Sequence, residues 1–520
     1  MKVLASIITL AFVISLGQAP AHAQSPSSNP TVIIRAGELR GSLTSNSIAA
    51  FKNIPFAQPP IGDLRWREPL PAKAWSGVRD ATAYGPACVQ MGNLNATSSE
   101  DCLQLNLWTT KLSIHSHMPV MVWIHGGGNF AGSGVEPLFD GEAFARHGVV
   151  LVTVNYRLGI FGFFAHPELT KESPHHASGN YGLLDQIMAL HWVHDNIAKF
   201  GGDPANVTIF GESAGAADVN LLMATPLSKG LFERVIAESG PVVAPPTLAE
   251  WEKKGQEFAA KLNITGDQPL AKLRALSSDV ILKAAGGGLS SVGPLLGLDV
   301  DGWVLPESPV KVFAAGKELH VGLILGNNSQ ELQRPFFPMS GGLNQAIANQ
   351  YGPLADRALA LYGLNSAAAP QPDPELGTAM AQWATDSQFR CGSVAELIWH
   401  TAAENPGYQY QFSLPVLGKE ALGAPHGSEV QFVFGALPVP PNKGNFNESD
   451  QLASAQMQEY WTNFAKTGDP NGKGLPQWPK FDATARSYLD LTDAGPAAKE
   501  GLQRQICDLS MENQRRLMTK

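Results

Sequence analysis

Residues 208–215 read TIFGESAG and place a serine between two glycines, directly after an apolar run. The pattern predicts a buried strand that turns sharply into a helix. In such a turn the serine side chain points out at the carboxyl edge of the sheet, and the glycines leave no Cβ where strand and helix pack closely. A bare G-x-S-x-G also occurs in ordinary turns, so the role of Ser213 depends on the groups that the rest of the chain supplies.

Apolar runs on both sides of this turn alternate with helical segments. Residues 118–128 and 148–157 read as further strands, and the apolar spacing over 181–197 is helical. Apolar strands separated by helices indicate βαβ units and a mostly parallel, buried sheet. Residues 31–43 and 47–57 read as short antiparallel strands. We therefore predict an α/β fold: a large central, mostly parallel sheet with antiparallel N-terminal strands, helices on both faces and helical insertions.

The N-terminus has the pattern of a secretory signal peptide. Lys2 precedes an apolar run over residues 3–16, and Ala21 and Ala23 occupy the small-residue positions before a cleavable bond. The run is short for a membrane span and lacks a stop-transfer flank, which disfavours an uncleaved anchor helix. We predict cleavage after Ala23, a secreted or periplasmic protein without stable membrane association, and a single domain over residues 24–520.

Charge and composition disfavour several classes of partner. The formal net charge is −9 with a pI near 5.8, and the chain has no long basic run. Non-specific attraction to nucleic acid or to an anionic membrane is therefore not expected. No CxxC motif or His-Cys cluster is present, so the sequence predicts no metal site.

The four cysteines point to structural disulfides, because an exported chain folds in an oxidising compartment. Cys88 and Cys102 bracket a short polar segment, which leaves Cys391 and Cys507. Four cysteines allow three connectivities, and the sequence does not choose between them. The preferred pairing is Cys88 with Cys102 and Cys391 with Cys507.

A serine hydroxyl becomes a useful nucleophile only with a base beside it and a group that stabilises the charge on the attacked carbonyl. WIHGGGNFAGSG (123–134) ends an apolar run with three glycines, whose backbone N–H groups can face a ligand as an oxyanion hole. The glycine triplet at 286–288 lacks that context and reads as a turn. GAPHGSEVQFVFG (423–435) carries His426 between small residues.

These motifs together resemble the type-B carboxylesterase family, the branch of the α/β-hydrolase fold that also includes cholinesterases, fungal lipases and neuroligins. The resemblance extends through nearly the whole chain after the signal peptide. Besides the motifs already quoted, the matching segments include FKNIPFAQPPIGDLRWREP, SEDCLQLNLW, VNYRLGIFGFF, GNYGLLDQIMALHWVHDNIAKFGGDP and YWTNFAKTGDPN.

The resemblance implies Ser213 as nucleophile, His426 as general base and Glu331 as the acid that orients the histidine. Members of the family usually have glycine after that acid, where this chain has Leu332. The order serine, acid, histidine is that of the α/β-hydrolases. We expect activity to fall below about pH 6 as the histidine becomes protonated.

The resemblance also implies an oxyanion hole formed by the backbone N–H groups of Gly127, Gly128 and Ala214. Glu212, beside the serine, has two possible roles: its charge could act on the base, or it could hold the serine turn. Glu429, three residues after His426, could help position the histidine loop, and a structural role is favoured over a catalytic one.

The family resemblance implies hydrolysis of a small-molecule carboxylic ester through an acyl-enzyme, with no metal or organic cofactor. The lipases of the family have a long, apolar lid at the position of the loop between Cys88 and Cys102. In this chain that loop is short and polar, which favours water-soluble esters. It contains no Phe, Tyr or Trp, which disfavours choline esters. An amidase or thioesterase on the same machinery, or a neuroligin-like adhesion module, is the alternative, although the adhesion modules lack the serine.

Overall fold

A computed structural model describes residues 29–91, 97–286, 297–336, 339, 341–366, 368, 370–415, 420–437 and 446–518. The predicted signal peptide, residues 1–23, lies outside the described residues. Within these ranges, none of the helices combines the length and the apolar character that crossing a membrane requires.

An eleven-stranded sheet runs through the described part of the chain. Its strand order is β16-β15-β14-β13-β12-β11-β9-β10-β8-β4-β3. The run from β15 to β10 is parallel, whereas β8, β4 and β3 at one edge and β16 at the other are antiparallel. The prediction of a mostly parallel sheet with antiparallel N-terminal strands is therefore confirmed. The strands are β1 (Thr31–Ile34), β2 (Gly37–Arg40), β3 (Ser42–Leu43), β4 (Ala49–Pro55), β5 (Val78–Asp80), β6 (Ala87–Cys88), β7 (Ser98–Ser99), β8 (Gln104–Thr109), β9 (Met118–Ile124), β10 (Val150–Val154), β11 (Gly202–Glu212), β12 (Arg234–Glu238), β13 (Gly322–Asn328), β14 (Gly407–Phe412), β15 (Ser487–Thr492) and β16 (Gly495–Glu500).

Helices fill the connections between the parallel strands, as a βαβ topology requires. The helices are α1 (Glu142–Arg146), α2 (Gly159–Gly162), α3 (Pro167–Glu172), α4 (Tyr181–Asn196), α5 (Ala214–Ala224), α6 (Leu248–Lys261), α7 (Pro269–Arg274), α8 (Ser278–Ala285), α9 (Pro309–Ala314), α10 (Leu343–Tyr351), α11 (Ala355–Leu361), α12 (Ala379–Thr385), α13 (Cys391–Ala402), α14 (Val430–Val433), α15 (Glu448–Thr467) and α16 (Arg504–Met518). A single π-helical turn, Asp386–Arg390, joins α12 to α13.

The sheet separates two apolar cores, because successive side chains of a strand point to opposite faces. Val122 and Ile124 of β9 belong to the core that contains α4 and α5, whereas Trp123 between them belongs to the core that contains α15. This burial on both faces explains why the central strands read as continuous apolar runs.

A third, smaller core lies in a helical insertion between β13 and β14. It brings together Tyr351 of α10, Trp383 of α12 and Ile506 of α16, with the disulfide-bonded Cys391 and Cys507 among them. The helical insertions expected from the sequence are therefore present.

Both preferred disulfides are present. Cys88 bonds to Cys102 and Cys391 bonds to Cys507, and the two bridges span 14 and 116 residues of sequence. The longer bridge ties the insertion to the C-terminal helix α16.

Removing the longer bridge is expected to destabilise the protein more than removing the shorter one. In the chain-entropy model a bridge across more than 100 residues contributes about 4 to 5 kcal/mol, and one across some 15 residues about 3 kcal/mol. The paired variants Cys391→Ser with Cys507→Ser, and Cys88→Ser with Cys102→Ser, should rank in that order in the free energy of unfolding measured by denaturant titration. Equal losses, or the reverse order, would contradict the role assigned to the bridge of the insertion.

Candidate active site

Ser213 is the one residue between the end of β11 at Glu212 and the start of α5 at Ala214. Its φ of 58° and ψ of −119° lie in a region that non-glycine residues rarely adopt, which marks a strained turn. Its backbone N–H donates to the carbonyl of Glu238 at 2.8 Å, so the turn is tied to the end of the neighbouring strand β12.

The two glycines of the motif are required by close packing against β9. A Cβ added at Gly215 would lie 2.0 Å from the carbonyl oxygen of Ile124, and one added at Gly211 would lie 2.6 Å from the same atom. Neither position has room for a side chain. The tight strand-to-helix turn predicted from the motif is therefore present.

Three side chains from distant parts of the chain meet at this turn. His426 Nε2 lies 2.8 Å from Ser213 Oγ, and His426 Nδ1 lies 2.7 Å from Glu331 Oε2. The three residues predicted as nucleophile, base and acid thus form one continuous line of hydrogen bonds.

Glu331 is held by main-chain contacts on both sides. The N–H of Asn328, the last residue of β13, donates to Glu331 Oε1 at 2.6 Å, and the N–H of His426 donates to the Glu331 carbonyl at 3.0 Å. The side chain of Leu332 packs against the core of the helical insertion. The departure from the usual glycine at this position therefore leaves the acid within reach of the histidine.

The residues predicted to form the oxyanion hole border the same space as Ser213. Gly127 and Gly128 have φ values of 102° and 66°, and with Ala214 they line the cavity that contains the serine. Ala214 is the first residue of α5, so its N–H has no acceptor within the helix.

A buried network that the sequence analysis missed anchors the glycine loop to α5. Asn129, which follows the glycines, donates from Nδ2 to Asp218 Oδ1 at 3.0 Å, and the Tyr156 hydroxyl donates to Asn129 Oδ1 at 3.1 Å. Asp218 lies on α5 and also accepts from Gln186 at 2.6 Å. These hydrogen bonds therefore hold the glycine loop and α5 in a fixed relative position. The sequence carried no signal for this, because the four residues are far apart in the chain.

The serine opens into a cavity of about 850 Å³, which is within the size range of small-molecule sites. Much of its wall comes from the helical insertion and the segments next to it. The lining is mainly apolar, and its larger apolar members are Phe130, Phe336, Met339, Trp383 and Phe389.

Additional carboxylates surround the histidine. Glu212 Oε1 lies 3.2 Å from His426 Nε2, and Glu429 accepts a hydrogen bond from Ser239 Oγ at 3.2 Å and another from Asn328 Nδ2. Burial raises the pKa of Glu212 to about 7 and that of Glu429 to about 8. Burial also raises the pKa of Glu238, whose position near the site the sequence did not reveal.

This acidic surrounding determines the protonation of the histidine. Burial by itself would lower the pKa of His426, but the charge of Glu212, the hydrogen bond to Glu331 and the charges of Glu331 and Glu429 together raise it to about 10. A general base must be neutral, and a raised pKa means that the neutral imidazole appears only at higher pH. The acid limb of activity is therefore expected above the ordinary histidine value of 6.5, not below about pH 6.

Glu212→Gln is expected to shift that acid limb to lower pH. The amide carries no charge, so one cause of the raised pKa of His426 disappears, and the shift should be about one unit or more. The measurement is the pH profile of kcat/KM. Glu257→Gln, an exposed glutamate on α6, is the control and should leave the profile unchanged. A profile that does not move in Glu212→Gln would rule out Glu212 as a source of the shift.

Among the residues that the structure describes, no group of His, Cys, Asp and Glu side chains has the arrangement of a metal site.

Comparisons with known proteins show what this chain is similar to. A family model described as "Carboxylesterase family" matches residues 28–510. The fumonisin B1 esterase of Sphingopyxis macrogoltabida is 37% identical, over 92% of this chain and 89% of the relative. The liver carboxylesterase of Sus scrofa is 35% identical over 93% of each chain.

Solved structures of esterases have a fold similar to that of this chain. A structure titled as a PNB esterase superposes with a TM-score of 0.80 at 33% sequence identity, covering 93% of this chain and all of that one. A thermophilic PNB esterase superposes with a TM-score of 0.81 at 32% identity.

Proposed function

Because this chain belongs to the carboxylesterase family and is a carboxylic ester hydrolase with the α/β-hydrolase fold, we propose that it works through Ser213, His426 and Glu331 and an acyl-enzyme intermediate. The observation that supports this most strongly is the line of contacts from Ser213 Oγ to His426 at 2.8 Å and from His426 to Glu331 at 2.7 Å.

In the proposed reaction, His426 Nε2 takes the proton from Ser213 Oγ as the oxygen attacks the ester carbonyl. The negative charge on the carbonyl oxygen is stabilised by the backbone N–H groups of Gly127, Gly128 and Ala214. The protonated histidine then gives its proton to the leaving alcohol. Water, activated by the same histidine, attacks the acyl-enzyme, and the carboxylic acid leaves as Ser213 recovers its proton.

We propose that the substrates are water-soluble, small-molecule esters with apolar acyl or alcohol groups. The apolar cavity of about 850 Å³ has room for a substrate much larger than an acetate ester. The polar composition of the segment between Cys88 and Cys102, with no aromatic residue, supports soluble esters over lipid droplets and over choline esters. Fumonisin B1 is a further candidate, because a relative of 37% identity is named for its hydrolysis.

The substrate proposal is tested with p-nitrophenyl esters of increasing acyl length, with fumonisin B1, and with an emulsified long-chain triglyceride. We expect turnover of dissolved short and medium esters. A jump in rate as the triglyceride passes its solubility limit would contradict the proposal, since that behaviour belongs to lipases.

The nucleophile is tested separately with a fluorophosphonate inhibitor. We expect stoichiometric loss of activity, and mass spectrometry should locate the label on Ser213. A label on another residue, with activity lost, would contradict the assignment.

We further propose that residues 1–23 are removed during export, that residues 24–520 form one domain, and that the mature protein is secreted or periplasmic without stable membrane association. Both disulfide bonds support an oxidising compartment. N-terminal sequencing of the exported protein should begin at Gln24; an intact Met1 terminus in the exported fraction would contradict cleavage.

A further inference from the structure

The π-helical turn Asp386–Arg390 joins α12 to α13 next to the candidate site. Such turns are rare and often occur at functional sites. Here the turn contains a fully buried ion pair between Arg390 Nη1 and Asp386 Oδ1, and the Tyr362 hydroxyl donates to Asp386 Oδ2 at 3.2 Å. A buried pair of charges is costly unless further hydrogen bonds satisfy it, as the Tyr362 hydroxyl does here.

Phe389 of this turn packs against the imidazole of His426. The ring centroids are 4.9 Å apart at an angle of 41°, and Phe336 approaches the imidazole at 5.7 Å with an edge-to-face angle of 74°. Aromatic rings stabilise a nearby cation, and the imidazole becomes a cation when it takes the serine proton. Phe389 is buried, so its ring is well placed to restrict the orientation of the histidine.

Arg390, the next residue, reaches the main chain that carries the acid. Its Nη2 donates to the carbonyl of Ser329 at 2.7 Å, two residues before Glu331. The Ser329 N–H donates to the carbonyl of Phe412 at 2.9 Å, which fixes the same segment from the side of β14. Arg390 is fully buried and its charge is matched by Asp386, so its contact with this loop is geometric and does not involve substrate.

We propose that the π-helical turn positions two members of the triad at once, Phe389 acting on His426 and Arg390 acting on Glu331 through the Ser329 carbonyl. The inference rests on the proposed function, since it assigns these residues to the pair that activates Ser213. Ser387 and Gln388 of the same turn line the cavity, so the element that holds the pair also borders the space proposed for substrate.

The first test is the double variant Asp386→Asn with Arg390→Met. It removes both buried charges together, so no unpaired charge remains, and it deletes the contact with Ser329. We expect kcat per active site, titrated with a fluorophosphonate, to fall about 10- to 100-fold while KM changes little. We also expect the acid limb of kcat/KM to move to lower pH, because a displaced Glu331 raises the pKa of His426 less.

The matched control is Asp185→Asn with Arg157→Met. Arg157 and Asp185 also form a buried ion pair, and Arg157 Nη1 donates to a main-chain carbonyl, that of Arg67, at 2.8 Å. This variant should lose folded protein but retain kcat per titrated site and the position of the acid limb. If the Asp386–Arg390 variant behaves like this control, the positioning role of Arg390 is refuted.

The second test concerns Phe389 and does not depend on the buried ion pair. Phe389→Leu should lower kcat and move the acid limb to lower pH, whereas Phe389→Tyr, which keeps the ring, should preserve both. Equal behaviour of the two variants would refute the role of the aromatic ring. If Ser213→Ala stays active, the proposed function fails; if Ser213→Ala is inactive but neither positioning variant moves the acid limb, only this inference fails.

Discussion

Ser213→Ala is expected to lower kcat for a p-nitrophenyl ester by about 10⁶-fold, the scale seen when the nucleophile of a serine hydrolase is removed. Without Oγ the proposed acyl-enzyme cannot form, although the cavity and the backbone N–H groups of the glycine loop remain. KM should therefore change little, and a residual rate above that of water should persist. Alanine keeps the same backbone restrictions as serine, so the strained φ of 58° gives no reason for misfolding.

Ser239→Ala is a matched control for this experiment. Ser239 also lines the cavity and also has a positive φ, of 57°, but its hydroxyl donates to Glu429 and not to His426. We expect a loss of less than about 10-fold, in line with the removal of one hydrogen bond. Comparable losses in the two variants would contradict the assignment of Ser213 as nucleophile.

Glu331→Gln is expected to lower kcat by about 10⁴-fold, because the structure determines which way the amide must face. Glu331 Oε1 accepts the N–H of Asn328 at 2.6 Å, so the oxygen of glutamine must occupy that position. The amide NH₂ group then faces His426 Nδ1, which must accept a hydrogen bond and cannot carry the proton. The proton moves to Nε2, and that nitrogen can no longer take one from Ser213.

Glu429→Gln separates this effect from the loss of any buried carboxylate near the histidine. Glu429 is also buried and also contacts Asn328, but its partners are Ser239 Oγ and an amide nitrogen, not the imidazole. The expected loss is less than about 10-fold. The measurement is kcat for both variants across pH, with circular dichroism as a check on folding. If Glu331→Gln retains more than a tenth of the wild-type kcat, Glu331 is not the orienting acid.

Much of the architecture could be predicted because strands that are buried on both faces of a parallel sheet appear in the sequence as continuous apolar runs. The runs that became β9 and β10 are apolar at nearly every position, and the second half of β11 is buried. The helical spacing over 181–197 became α4 followed by a short 3₁₀ turn. Gly201 ends that segment with a φ of 83°. The relatives likewise bear out the family and the ester chemistry that the motifs implied.

The charge environment of the site could not be predicted in the same way. The histidine motif led us to expect an ordinary pKa, yet Glu212, Glu331 and Glu429 together raise the pKa of His426 to about 10. Their joint effect depends on distances of a few ångströms between residues that lie as much as 217 positions apart in the chain, from Glu212 to Glu429.

By itself the sequence determined the central strands β9, β10 and β11, the serine turn and the residues available for ester chemistry, because burial, backbone strain and close packing each demand particular residue types at particular spacings. Only the tertiary structure decided how strongly the surrounding carboxylates raise the pKa of His426. It also decided that Asn129 and Asp218 join the glycine loop to α5, and that Phe389 and Arg390 contact the histidine and the loop of the acid. These contacts join segments whose separation in sequence carries no information about their separation in space, and the strength of each depends on its distance and burial.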